Sequence, residues 1–168
     1  MKKILILVAA LIFLAPATGR AQTYFYLGED EAIGKIFPDI SLNNLNGESV
    51  NLTQYREGKR AVFFFWATWC PHCREALQHL SEIQKEFEAK NIKLVLIDLG
   101  EPQRLVKKFT ERNNVTMDVF LDINSSLAEQ FGLVGLPTFL FVNEKGVIKE
   151  IGHNLPDNYE ELFLDKKT

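Results

Sequence analysis

Cys70 and Cys73 are the only cysteines in the 168-residue chain, within Trp69-Cys70-Pro71-His72-Cys73. The pentapeptide closes an apolar run, Ala61 to Ala67, and opens a segment of helical periodicity. A cysteine at a strand-to-helix junction meets the unpaired backbone N–H groups and the positive end of the helix dipole. Thiolate, the reactive form, is favoured there, so the Cys70 thiol is expected below the ordinary value of about 8.5 while a buried Cys73 is not. Two intervening residues put the second sulfur within disulfide reach, so the pair can open and close as a redox switch. Pro137 belongs with them. It stands at the mouth of an apolar run, Thr138 to Val142, and proline, lacking a ladder donor, is confined to strand starts and edges. Counting back from a turn centred between Glu144 and Lys145 sets Pro137 across from Gly152 and brings His153 to the same rim.

These residues need a scaffold, and the pattern supplies one. Ile40, Leu42, Val50 and Leu52 alternate with polar residues on either side of Asn46-Gly47, a strong short hairpin signal. Thr53 to Gly58 is a turn or helical stub. Ala61 to Trp66 and Ile92 to Asp98 are apolar without alternation, as strands covered on both faces are. Between them Ala76, Leu77, Leu80, Ile83 and Phe87 recur at helical spacing, with Glu75, Gln78, His79, Glu82 and Glu86 on the other side, to an end near Asn91. Glu101-Pro102 starts another helix, with Leu105, Val106 and Phe109 facing inward. Val119 to Leu121 is a short strand, and Ser125 caps a brief helix ending at Gly132. Thr138 to Val142 and Val147 to Ile151 flank Asn143-Glu144-Lys145-Gly146 as an antiparallel hairpin. Asp157 or Asn158 caps a last helix carrying Tyr159, Leu162 and Phe163. Strands alternating with helices give an α/β fold with an antiparallel edge.

The first 21 residues differ from the rest. Lys2 and Lys3 precede the unbroken apolar stretch Ile4 to Leu14, and small residues follow, with cleavage expected after Ala15-Pro16-Ala17 or Gly19-Arg20-Ala21. The apolar core of about eleven residues is short against the roughly twenty of a membrane span. Residues 1–21 therefore read as a signal peptide, 22–35 as a lead-in and 36–168 as one domain. Export to the periplasm or beyond is expected, with membrane attachment only through an uncleaved N-terminal segment. Cleavage moves the net charge from −3 to −6 by removing Lys2, Lys3 and Arg20, which argues against a nucleic-acid partner.

Taken together, W-C-P-H-C after an apolar strand, G-L-P-T-F-L-F-V about 65 residues later, and the upstream F-P-D-I-S-L-N-N-L-N-G resemble the thioredoxin superfamily. Within it they are most similar to the periplasmic TlpA/ResA-type thiol–disulfide oxidoreductases, from about Gly34 to Gly152. The resemblance implies a thioredoxin-like fold, a mixed central sheet flanked by helices with the hairpin as an N-terminal extension. It implies Cys70 as the exposed nucleophile, Cys73 as the resolving cysteine, a cis bond at Pro137, and Leu136 pairing with substrate backbone. It also implies no cofactor beyond the Cys70–Cys73 disulfide, protein thiol or disulfide substrates such as apocytochrome c, and a membrane thiol carrier as redox partner.

Two positions depart from that pattern. Phe64 stands where thioredoxins bury an aspartate, and Ala76 where the TlpA/ResA branch has glutamate, with Glu75 one place off and facing solvent. His72 and His153 are then the remaining candidates for moving the proton of Cys73, since imidazole titrates in the right range. Pro71-His72 resembles the oxidising DsbA-type motif. Trp69 either shields Cys70 or touches substrate, Trp66 packs, and His79 is solvated. A merely structural disulfide needs none of the surrounding features, and a structural zinc site wants four ligands where two cysteines and three histidines are spread along the chain. Arg74 after Cys73 excludes C-x-x-C-H haem attachment. The competing function is a copper- or haem-handling protein using Cys70, Cys73 and His153, because soft thiolates suit Cu(I).

Overall fold

The computed structural model describes residues 29–164; the signal-type segment, the first part of the lead-in and residues 165–168 lie outside the described residues. In chain order the elements are α1 (Glu29–Ala32), β1 (Ser41–Asn44), β2 (Ser49–Asn51), α2 (Leu52–Tyr55), β3 (Arg60–Trp66), α3 (Pro71–Ala89), β4 (Ile92–Leu99), α4 (Gln103–Arg112), β5 (Val119–Asp122), α5 (Ser126–Phe131), β6 (Thr138–Val142) and β7 (Ile148–Gly152), followed by a 3-10 helix (Tyr159–Phe163). The strands form one mixed sheet in the order β2-β1-β5-β4-β3-β6-β7. Its centre, β3-β4-β5, is parallel, and β1 and β6 join it antiparallel, so each edge of the sheet is a hairpin.

The apolar run of β3 explains the layering. Every residue from Ala61 to Trp66 is buried, and alternate side chains serve opposite faces. Val62, Phe64 and Trp66 join one core with Cys73, Leu77, Leu80 and Phe87 of α3 and with Tyr159 and Phe163. Ala61, Phe63 and Phe65 join the other with Ala32, Leu52, Leu127 and Phe131 of α1, α2 and α5. The sheet therefore carries apolar residues on both sides, and the helix bearing the cysteines lies on the side of Trp66. The lead-in is tied in as well, for Ile148 N–H donates to Lys35 C=O at 2.8 Å, and just beyond it Phe37 stacks on Phe63.

Several local expectations need correcting. In α4, Leu105 is 43% exposed, and Val106 and Thr110, one turn apart, take the inner face beside half-buried Phe109. Pro102 is the residue before that helix rather than part of its first turn. Ser125 does not cap α5, for its backbone is left-handed with φ 53° and its side chain makes no cap. Asp122 does so from the end of β5, its carboxylate accepting from the N–H groups of Ser126 at 2.9 Å and Leu127 at 2.8 Å. The last helix is a 3-10 turn, and neither Asp157 nor Asn158 caps it: Asn158 precedes it with its side chain on Glu161 instead.

The β6–β7 register also differs. Phe139, not Pro137, faces Gly152. The turn is centred on Glu144-Lys145 as expected, closed by Gly146 N–H to Asn143 C=O at 2.9 Å, but Asn143 N–H bonds Val147 C=O, so left-handed Gly146 is one extra residue, and Val142↔Ile148 followed by Phe141↔Glu150 leaves Lys149 as a second. A bulge of this kind shifts everything beyond it.

Candidate active site

Cys70 ends the loop after β3 and is the N-cap of α3, with extended backbone (φ −83°, ψ 112°), and Pro71 occupies the first helical turn. Its Sγ accepts a hydrogen bond from the Cys73 N–H at 3.1 Å, so the sulfur takes the place a serine or aspartate oxygen takes at an ordinary cap. Cys70 and Cys73 are joined as a disulfide, with Cα atoms 5.2 Å apart. Cys73 is fully buried, and Cys70 is only 4% exposed. The expectation of an open nucleophile is corrected to this degree: in the oxidised protein Cys70 is merely the more accessible sulfur-bearing residue of two, because it faces the apolar core shared by Trp66 and Leu77. Trp69, 67% exposed, stands out to solvent and is free to touch a substrate. Pro71 and His72 are also exposed, and His72 Nδ1 lies 3.4 Å from Glu75 Oε2 across one turn.

The loop before Cys70 rests on a buried acid, Glu101, which has a second, Asp98, beside it; both stand outside the expected site. Glu101 accepts from Thr68 twice, from its N–H at 2.5 Å and its hydroxyl at 2.7 Å. Asp98, the register partner of Trp66 on the neighbouring strand, is fully buried, with Glu101 as its polar neighbour. Burial, then a hydrogen bond to the Glu101 side chain and the charge of that carboxylate, push Asp98 up to about 8. A neutral carboxyl at neutral pH thus lies on the same sheet face as Phe64 and Cys73. A signal for them was present in the sequence: Ile97-Asp98-Leu99-Gly100-Glu101 places two acids at the end of an apolar parallel strand, and sites gather at the carboxyl ends of parallel strands.

On the other flank the Leu136–Pro137 bond is cis, as expected. Thr138, which begins β6, pairs with Phe65 of β3, so Pro137 sits where β3 runs into the cysteine loop. A groove of about 510 Å³ runs beside it. Leu136 and Pro137 line this groove together with all three histidines of the chain, His72, His79 and His153. His153 reaches the rim despite the altered register, and its Nδ1 lies 3.0 Å from the Pro137 carbonyl. Of the residues singled out in sequence, His72, Leu136, Pro137 and His153 therefore meet in one groove, with Trp69 outside it. Among the described residues no group of three or more His, Cys, Asp or Glu assembles as a metal site.

A protein-family model described as the AhpC/TSA family matches residues 33–151. Two thiol-disulfide oxidoreductases named ResA are similar along much of the chain. The one from Bacillus cereus is 30% identical over 170 residues, covering 99% of this chain and 97% of the relative. The one from Geobacillus thermodenitrificans is 31% identical over 120 residues, covering 71% and 68%. In fold, the thioredoxin domain of a thiol-disulfide oxidoreductase from Bacteroides vulgatus superposes with a TM-score of 0.68 at 24% identity, covering 78% of this chain and 95% of that one.

Proposed function

The chain belongs to the AhpC/TSA family and is a thioredoxin-like, ResA-type thiol–disulfide oxidoreductase, and from that premise we propose that it exchanges the Cys70–Cys73 disulfide with protein clients outside the cytoplasm. The observation that carries this is the disulfide itself, capping α3 at the end of β3 where Pro137 enters β6. In the reducing direction Cys70 thiolate attacks a client disulfide sulfur. The client's other sulfur leaves as thiolate and takes a proton. Cys73 then gives up its proton and attacks Cys70 Sγ, which restores the Cys70–Cys73 disulfide and releases the second client thiol. In the oxidising direction the same steps run backwards. Leu136 offers its backbone to the client, and Trp69 and the groove of His72 and Pro137 contact its side chains. A membrane thiol carrier resets the pair, clients such as apocytochrome c fit this chemistry, and no cofactor beyond the disulfide takes part.

The test is exchange with a disulfide-bonded peptide, followed by mass spectrometry. The intact chain should turn over, and Cys70→Ser and Cys73→Ser should each abolish turnover. Turnover surviving in either variant overturns the reading. Localisation is tested by the mature N-terminus in the exported fraction of the source cell, expected near residue 18 or 22. A full-length cytoplasmic chain would refute export.

A further inference from the structure

His153 and Glu29 enclose the segment that the proposed function assigns to client binding. Glu29, the first residue of α1, accepts from Val134 N–H through Oε1 at 3.1 Å. Its other oxygen lies 3.5 Å from His153 Nε2. His153 Nδ1 in turn lies 3.0 Å from the Pro137 carbonyl and 3.3 Å from the Thr138 hydroxyl. That hydroxyl already donates to Gly135 C=O at 2.7 Å. The chain from Val134 to Pro137 is thus held at both ends by one relay, Glu29 to His153, and at Gly135 by Thr138. Among the described residues nothing bonds the backbone N–H or C=O of Leu136, which stay available between the two anchored ends.

The partners fix where the protons are. A carbonyl oxygen only accepts, and the Thr138 hydrogen is committed to Gly135, so His153 Nδ1 carries a hydrogen and donates. Nε2 is then either a lone pair, aimed at the Glu29 carboxylate, or an N–H of the imidazolium. Only the imidazolium makes both ends of the relay attractive, and charge-assisted bonds of this type are the stronger ones. The other titratable groups facing His153 lie across the groove on α3: His72, Glu75 and His79, with Glu75 drawn toward His72.

We propose that the Glu29–His153 pair is a protonation-dependent brace that shapes Val134–Pro137 for pairing with an extended client strand. Both are positioning residues, because neither touches a sulfur. The brace rests on the proposed exchange reaction and adds a specificity to it. Peptide and protein disulfides that pair along Leu136 feel it, and a small disulfide that makes no strand contact does not. Client affinity is highest when both ends of the relay are charge-assisted and weakens when the imidazole has lost its second proton.

The experiment compares intact wild-type chain with Glu29→Gln and His153→Gln between pH 5 and 8, using a disulfide-bonded peptide and, separately, the small aromatic disulfide DTNB. Taking the variant-to-wild-type ratio at each pH cancels the titration of the cysteines. For the peptide, KM in Glu29→Gln should be about tenfold above wild type at the acidic end, converging toward wild type at the alkaline end, with kcat unchanged. In His153→Gln an amide can still donate to the Pro137 carbonyl, so KM should lose its pH dependence. With DTNB all three proteins should be equal throughout. A ratio that is constant with pH, or the same for peptide and DTNB, would show a merely structural role and overturn the proposal. If wild type fails to exchange either disulfide, the exchange reading itself falls; if it exchanges both and the peptide profile matches Glu29→Gln, only the brace falls.

Discussion

On the Thr68 flank of the disulfide the chain buries two carboxyl groups among aromatic side chains, whereas on the Pro137 flank it leaves three imidazoles in an open groove. The two flanks belong to one site but obey different physics. Behind Thr68, Asp98 and Glu101 sit where charge is poorly solvated, so the proton of Asp98 and the hydrogen bonds of Glu101 are coupled to the fold. Beside Pro137, His72 is largely exposed and its contact with Glu75 is screened by water. The contrast teaches that substitutions behind Cys70 should register in stability, and substitutions in front of it in substrate exchange.

The largest effect should come from Phe64→Ala. Phe64 is fully buried and packs on Phe139 with ring centroids 4.8 Å apart. Its loss should lower stability by about 3–5 kcal/mol, read from the denaturant midpoint. A loss no greater than that of a surface change would mean the core beneath the disulfide is not the rigid part of the site.

Asp98→Asn sharpens the same flank through pH. Asp98 is raised to about 8 from an ordinary 3.8, so the folded protein keeps a proton that the unfolded chain releases. Its favourable contribution is complete below about 3.8 and is lost as pH rises through about 8. Wild-type stability should therefore decline across that window by a few kcal/mol, on the order of 1.4 per unit at most, while Asp98→Asn stays flatter and becomes the more stable protein at the alkaline end. Parallel profiles would show that Asp98 is ionised in the fold. Glu101→Gln should cost less, about 1 kcal/mol by thermal or denaturant unfolding, because an amide oxygen can still accept one of the two Thr68 bonds. An unchanged midpoint would remove Glu101 as the support of the loop.

Smallest in stability is His72→Val, expected within about 0.5 kcal/mol of wild type because the residue is exposed. Its readout is the reduction potential, which should fall as the imidazole next to the helix start, two residues from Cys70, is replaced by an apolar side chain. Glu75 and solvent limit the change to less than about 30 mV. A potential that rises or holds would discard the argument that Pro71-His72 makes the disulfide oxidising.

Much of this is legible in the residues themselves. Unbroken apolar runs marked β3 and β4 because both faces of a central strand are covered, and the helical spacing of Leu77, Leu80 and Phe87 marked α3. The cysteines, Pro137 and its cis bond followed from motif and resemblance. What stayed hidden depended on contacts between distant segments. The turn over residues 143–146 was legible, but an extra residue at Gly146 and another at Lys149 moved Gly152 from Pro137 to Phe139. Asp122 outcompeted Ser125 as the cap because Ser125 adopts a left-handed backbone. The lead-in showed no periodicity, yet Glu29 reaches Val134 and His153, partners more than a hundred residues away that no local pattern can announce.

The central claim is that Cys70 attacks and Cys73 resolves. The most direct measurement is trapping: Cys73→Ala and Cys70→Ala forms of the intact chain, each reduced, are mixed with a disulfide-bonded peptide, quenched with acid and mapped by mass spectrometry. The account predicts a stable mixed disulfide on Cys70 in Cys73→Ala and none on Cys73 in Cys70→Ala, where the remaining thiol lies on the buried face of α3. Accumulation of the peptide on Cys73 instead, or on neither cysteine, would contradict it.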